Sequence, residues 1–279
     1  MVRNDTLLTK LWATLVWVFV GFFVINLIAL IASVVVNSFA TRWLGTWLPA
    51  GYTANWFASA WDEFQLPDVL QVTMEVVGAV VLVCGLVGVP AAYAMARRDF
   101  PGKRAVMLLF LLPLLVPPIT FGIPLATVLY RTGAAGTIWG VILANLVPTV
   151  PFVILIMIPF IQQIDPRMEA AARVFGAGTL RMFTTVLVPL LAPGILAALL
   201  LVLVRTIAMF ELTFLTAGPT SQTLVVALYY AVFAAGVRAG QSIDAMAVVY
   251  MVTTLIWLLI ALRFVNPTQI VTRAKAEAN

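Results

Sequence analysis

From Leu11 to Val36 the chain runs without a single charged side chain, and a helix of about 20 apolar residues already spans a bilayer. The run is too long for the central region of a signal peptide, and no convincing small-residue cleavage site follows it, so it reads as a retained anchor. Five more stretches of similar character follow, at about Val69–Ala96, Ala105–Tyr130, Thr137–Phe160, Leu190–Leu215 and Ser242–Phe264. With 63% hydrophobic and 10% charged residues, the chain has too little polar surface to close a soluble globule. The expected fold class is all-α and integral to the membrane, with about six transmembrane helices. Histidine is absent and Cys84 is the one cysteine. That removes intrachain disulfides, Ser-His and Cys-His nucleophile pairs and the common zinc sites, so neither a metal nor a cofactor is expected.

Between the first two spans, Asn37–Asp68 carries Trp43, Trp47, Tyr52, Trp56, Phe57, Trp61 and Phe64. Flat amphipathic rings settle at the membrane-water boundary, so this segment reads as a loop in the outer interface that can also meet an external protein. The second span ends in Arg97, Arg98, Lys103 and Arg104 around a Pro-Gly turn. Pro113, Pro117, Pro118 and Pro124 in the third span predict a bent helix, and Pro148 and Pro151 predict interruptions in the fourth. Thr216–Gln241 reads as an outer loop. The organisation is then an anchor and aromatic loop over residues 1–68, a core over 69–264 and a polar tail over 265–279. An inside N-terminus gathers Arg3, Lys10, the Arg97–Arg104 cluster, Arg167, Arg173, Arg181, Arg263, Arg273 and Lys275 on one face and leaves Arg42, Arg131 and Arg238 on the other. The positive-inside bias therefore makes both termini cytoplasmic. The net charge of +5 is spread over loop ends as orientation demands, which argues against a nucleic-acid partner.

Asp165–Pro193, within the polar loop 161–189 and its continuation, is the run the bilayer accepts least. Met168, Ala171, Ala172 and Phe175 recur there at helical spacing, Gly176 and Gly178 suit a left-handed helix end, and Thr179 can cap a second helix. Pro189 and Pro193 mark the start of the next span. The loop resembles that of the permease subunits of binding-protein-dependent ABC importers, which reads Glu-Ala-Ala, three residues, Gly, nine residues, Ile, one residue, Leu-Pro. Ala171, Ala172, Gly176 and Pro189 fall in register, with Val186 and Val188 for the Ile and Leu. Ala170 stands where the family has glutamate, and the acid is one residue earlier, at Glu169. The segment VPAAYAMARRDFPGK resembles the same family. The stretch Val204–Leu224 is similar to its iron(III), polyamine, thiamine and phosphonate branch.

The resemblance implies the type I importer fold and a coupling helix that sits in a groove of an ATPase subunit, with Arg167, Met168, Glu169, Ala171, Ala172, Arg173, Phe175, Gly176 and Pro189 as its coupling residues. It also implies, as partners, a pair of ATP-binding subunits, a second permease chain, an extracytoplasmic solute-binding protein and the lipid of a bacterial inner membrane. The only Gly-Lys pair, Gly102-Lys103, lacks the upstream glycine of a phosphate loop, so ATP belongs to a separate subunit. If the chain is an active transporter of that family, it is expected to be a transport subunit without its own ATP site and not itself an enzyme. Glu75, Arg205 and Glu211 are the ionisable residues placed within spans, where charge costs about 2.5 to 3.5 kcal/mol unless it meets water or a partner. Arg205 either pairs with Glu75 or backbone carbonyls to lock helices, or faces a solute path with Glu211. An ion-gradient-driven transporter is the alternative, although no internal repeat supports it.

Overall fold

The computed structural model describes residues 7–233 and 238–264; Arg3, Arg273, Lys275 and the predicted tail 265–279 lie outside them. The described residues fall into two compact units, one built from those of 1–65 and 231–249 and the other from those of 66–230 and 250–279. They are helical, with a single isolated β-bridge pairing Ala40 and Tyr52. Among the described residues, five helices are long and apolar enough to cross a membrane, and six if one sharply bent pair counts as a span.

In the first unit, α1 (Leu7–Phe39) extends the expected anchor by about a turn at each end. Its apolar side chains face outward, as lipid or a protein partner would require. The aromatic loop is more ordered than expected. The Trp56 indole donates to the Ala40 carbonyl at 2.8 Å, Phe39 packs on Phe57 with centroids 4.8 Å apart, and α2 (Asn55–Glu63) follows. Trp47, by contrast, is 97% exposed.

In the second unit, α3 (Leu66–Val83) presents Thr73, Val76, Val77 and Val80 on one buried face. It continues through a π-helical turn, Cys84–Gly88, into α4 (Val89–Arg97). The wider turn directly precedes Pro90, whose ring would otherwise strike the carbonyl four residues back. The third span is two helices, α5 (Lys103–Leu115) and α6 (Pro118–Arg131), meeting at 103°. Val116 and Pro117 are each extended because each precedes a proline, and Pro118 then opens the new helix. The prolines of α7 (Ile138–Gln162) do not interrupt it, contrary to expectation. This helix is central, packing against α3, α4, α5 and α10 (Val188–Ile207), and is buried on nearly every side. Side-chain donors occupy some of its carbonyls: Asn145 donates to Val141 at 2.9 Å and Thr149 to Asn145 at 2.5 Å.

The fifth span departs furthest from its expected bounds. A short α8 (Pro166–Val174) precedes α9 (Thr179–Met182), which runs through a second π-helical turn, Phe183–Leu187, into α10. Pro189 therefore lies inside a continuous rod from Thr179 to Ile207 and does not begin it. The hydroxyls of Thr184 and Thr185 donate to the Leu180 and Arg181 carbonyls at 2.9 and 2.6 Å beside the widened turn. The rod stops at Ile207 and α11 (Glu211–Thr216) starts afresh, so the expected single helix to Leu215 is broken at Ala208–Phe210. The expected outer loop also contains a helix, α12 (Leu224–Phe233). Its apolar run has no breaker, and its first amide donates to the Thr73 hydroxyl of α3 at 2.9 Å. Phe210 and Phe214 pack on Tyr229 with centroids 4.9 and 5.2 Å apart. The last helix, α13 (Gly240–Phe264), begins close to its expected position.

Candidate functional site

Asp165 caps α8, its carboxylate accepting the Arg167 amide at 2.9 Å, and Pro166 supplies the fixed backbone angle of a first turn. At the other end Gly176 adopts φ +80°, and the Gly176 and Ala177 amides close on the Arg173 and Ala172 carbonyls. Gly178 has the extended backbone of the next cap, which puts Thr179 inside α9 and not at the capping position expected for it.

The faces of α8 divide differently from the expected stripe. Ala172 turns inward onto the main core, while Met168 and Ala171 are exposed and Phe175 is 91% exposed. Val174 and Leu180, passed over at the sequence level, also project outward. Beside Ala172 on the inner face lies Glu169, only 6% exposed. One of its oxygens accepts from the Arg97 Nε at 2.7 Å and the other from the Tyr93 hydroxyl at 2.6 Å. A second Arg97 nitrogen donates to the Ile164 carbonyl at 2.6 Å, and the Tyr93 ring meets Phe183 edge-on at 5.7 Å. Glu169 therefore ties α8 to the end of α4 and is not presented outward.

Tyr93 and Arg97 are the site residues that sequence reading missed. They lie 76 and 72 residues from Glu169, and Arg97 read only as one cation of an orientation cluster. A cleft of about 820 Å³ opens between α4 and α8, with Arg97, Arg98 and Arg173 on its walls and Thr179 at its edge. Arg167 is exposed nearby, and Pro189 lies further along the rod.

The three intramembrane ionisable residues are not brought together. Glu75 is exposed and accepts from Gln71 at 2.8 Å, so the Arg205–Glu75 pair, one of the alternatives for Arg205, does not form among the described residues. Arg205 instead places its guanidinium 5.0 Å from the Phe152 ring centroid, a cation–π contact, and its buried Nε has no hydrogen-bond partner among the described residues. Glu211 is half-buried as the first residue of α11, beyond the helix break.

Comparison with known proteins places this geometry. The chain is 30% identical over 158 residues to the melibiose/raffinose/stachyose import permease of Bacillus subtilis, a match covering 56% of each protein. It is 33% identical over 155 residues to the molybdenum transport system permease of Haemophilus influenzae, covering 50% of this chain and 67% of that one. Thus the chain matches little more than half the length of the first relative and about two thirds of the second. Neither name belongs to the iron, polyamine, thiamine and phosphonate branch. The fold is shared with a chain of a bacterial ABC transporter involved in import of the acidic polysaccharide alginate, at a TM-score of 0.75 and 16% identity, covering 94% of this chain and 98% of that one. A second structure, the alginate transporter in complex with a periplasmic protein bound to an alginate pentasaccharide, aligns at 0.69 and 18% identity over 93% and 94%. Residues 87–270 match the family described as binding-protein-dependent transport system inner membrane component, and the chain belongs to that family.

Proposed function

We propose that this chain forms the membrane-spanning part of an ATP-driven importer and is moved by a separate ATP-hydrolysing subunit that grips α8. A solute delivered by an extracytoplasmic binding protein would cross between this chain and a second permease chain, with both termini and α8 on the cytoplasmic side. The observation that carries the reading is α8 itself. It is a capped helix held to the bundle from its inner face by Glu169, with Met168, Val174 and Phe175 turned outward and exposed among the described residues. A short rod anchored on one side and bare on the other can transmit displacement to α4, because its anchor is a charged contact and not a flexible tether.

The test is a cysteine at Phe175 in the reconstituted transporter. Cross-linking to the ATP-hydrolysing subunit, changing in yield on addition of ATP, is the expected result. A cysteine reached only from the extracytoplasmic side, or one that meets only its own bundle throughout turnover, would overturn the assignment. Glu211, at the helix break, is the residue proposed to face the solute. Arg205, lying against Phe152, is proposed to hold α10 to α7.

A further inference from the structure

We propose that the cleft between α4 and α8 receives a carboxylate side chain of the ATP-hydrolysing subunit, so that the gripping surface on this chain is cationic and its counterpart acidic; this rests on the reading of α8 given above. Glu169, the one acid that lines the cleft, is consumed internally, since both of its oxygens are occupied and Arg97 balances its charge, leaving Arg98 and Arg173 in excess. Arg98 and Arg173 line the same space, are exposed, and make no ion pair among the described residues. Arg167 and Arg181 add two exposed cations in the neighbouring turns. The other acids near these turns are exposed, Asp165 accepting the Arg167 amide and Asp99 pairing with Lys103 at 2.9 Å, and neither lines the cleft.

Like charges lining one concavity repel unless an anion enters, and a recess walled by protein focuses the field that attracts it. Guanidinium forks suit the two oxygens of a carboxylate. Val174 and Phe175, 85% and 91% exposed, project from the end of α8 as apolar contacts that would exclude water around such a pair.

The experiment measures affinity between this chain and its co-purified ATP-hydrolysing subunit in detergent across a salt titration, for wild type, the double variant Arg98→Gln/Arg173→Gln, and Phe175→Ala. The double variant is expected to bind about tenfold more weakly at low salt and to lose most of the salt dependence. Both substitutions are at exposed positions, so melting of the isolated chain should match wild type. If Phe175→Ala weakens binding while the double variant does not, the carboxylate receptor is overturned and the gripping of α8 stands. If neither variant changes binding, both readings fall. If the double variant loses binding only to vesicles containing phosphatidylglycerol, the cleft takes a lipid headgroup and the proposal is overturned.

Discussion

Both oxygens of the Glu169 carboxylate are held within the chain, so its two partners contribute unequally when removed. Arg97→Ala leaves a largely buried negative charge without its cation and should lower stability by about 3 kcal/mol, whereas Glu169→Gln keeps a hydrogen-bond acceptor for Tyr93 and should cost less. Thermal unfolding of the single variants and of Arg97→Ala/Glu169→Gln checks this, since a pair acting as one unit gives a double variant well short of the sum. Equal and additive losses would mean the contact is incidental. Among the acids placed within spans, Glu75 makes only a same-helix contact with Gln71 among the described residues, so Glu75→Gln should leave melting of the isolated chain unchanged. Glu211→Gln should leave the assembled complex intact and depress solute uptake in vesicles; normal uptake would remove Glu211 from the path. The charge pattern in the sequence could show that these residues needed a reason to be where they are. It could not show which reason applied, because Arg205 found an aromatic ring and Glu169 found groups more than seventy residues away.

At the scale of the helix, close approach decides what can change. A Cβ at position 88 would come within 2.9 Å of the Val153 Cγ1 on α7, at the π-helical turn where the rod of α3 and α4 crosses the central helix. Gly88→Leu should therefore destabilise the bundle by about 1 to 3 kcal/mol, visible as a lowered melting temperature in detergent. The same substitution at Gly78, where nothing lies within 4 Å, should leave melting nearly unchanged. The existence of the long helices was legible from apolar runs alone, and their ends were less so. Proline was the common source of error. Paired at Pro117 and Pro118 it broke a span outright, yet in α7 it was carried without interruption, and at Pro90 and Pro189 it was absorbed by a widened turn. Outcomes that differ this much depend on which neighbours replace the lost hydrogen bond, and local sequence does not contain them. Similarly, α12 looked like loop because its capping hydroxyl is supplied by Thr73, far back in the chain.

For the whole molecule, the apolar side chains of α1 and α13 that face outward require lipid or another chain, and the family supplies the membrane. Class and family were therefore readable from composition and one loop, while the solute was not, since among the described residues Arg205 lies against Phe152 and Glu75 contacts Gln71, and neither pairs with Glu211. In sealed vesicles, uptake should need ATP on the side that carries α8, and trypsin applied to that side should cleave at Arg167 or Arg173. Protection there with cleavage at Arg42 would invert the orientation. Two rods, α3 to α4 and α9 to α10, each carry a π-helical turn between their longer apolar stretch and the end bearing Tyr93 and Arg97 or α9. Such a turn inserts about one residue, roughly 100° of helical phase. Excising one residue from Cys84–Gly88 would swing Arg97 away from Glu169 by about a quarter of a revolution and leave the apolar faces of α3 where they are. The greasy shaft and the polar tip of each rod are thus clocked separately, so selection can retime the tip without disturbing how the shaft sits in oil.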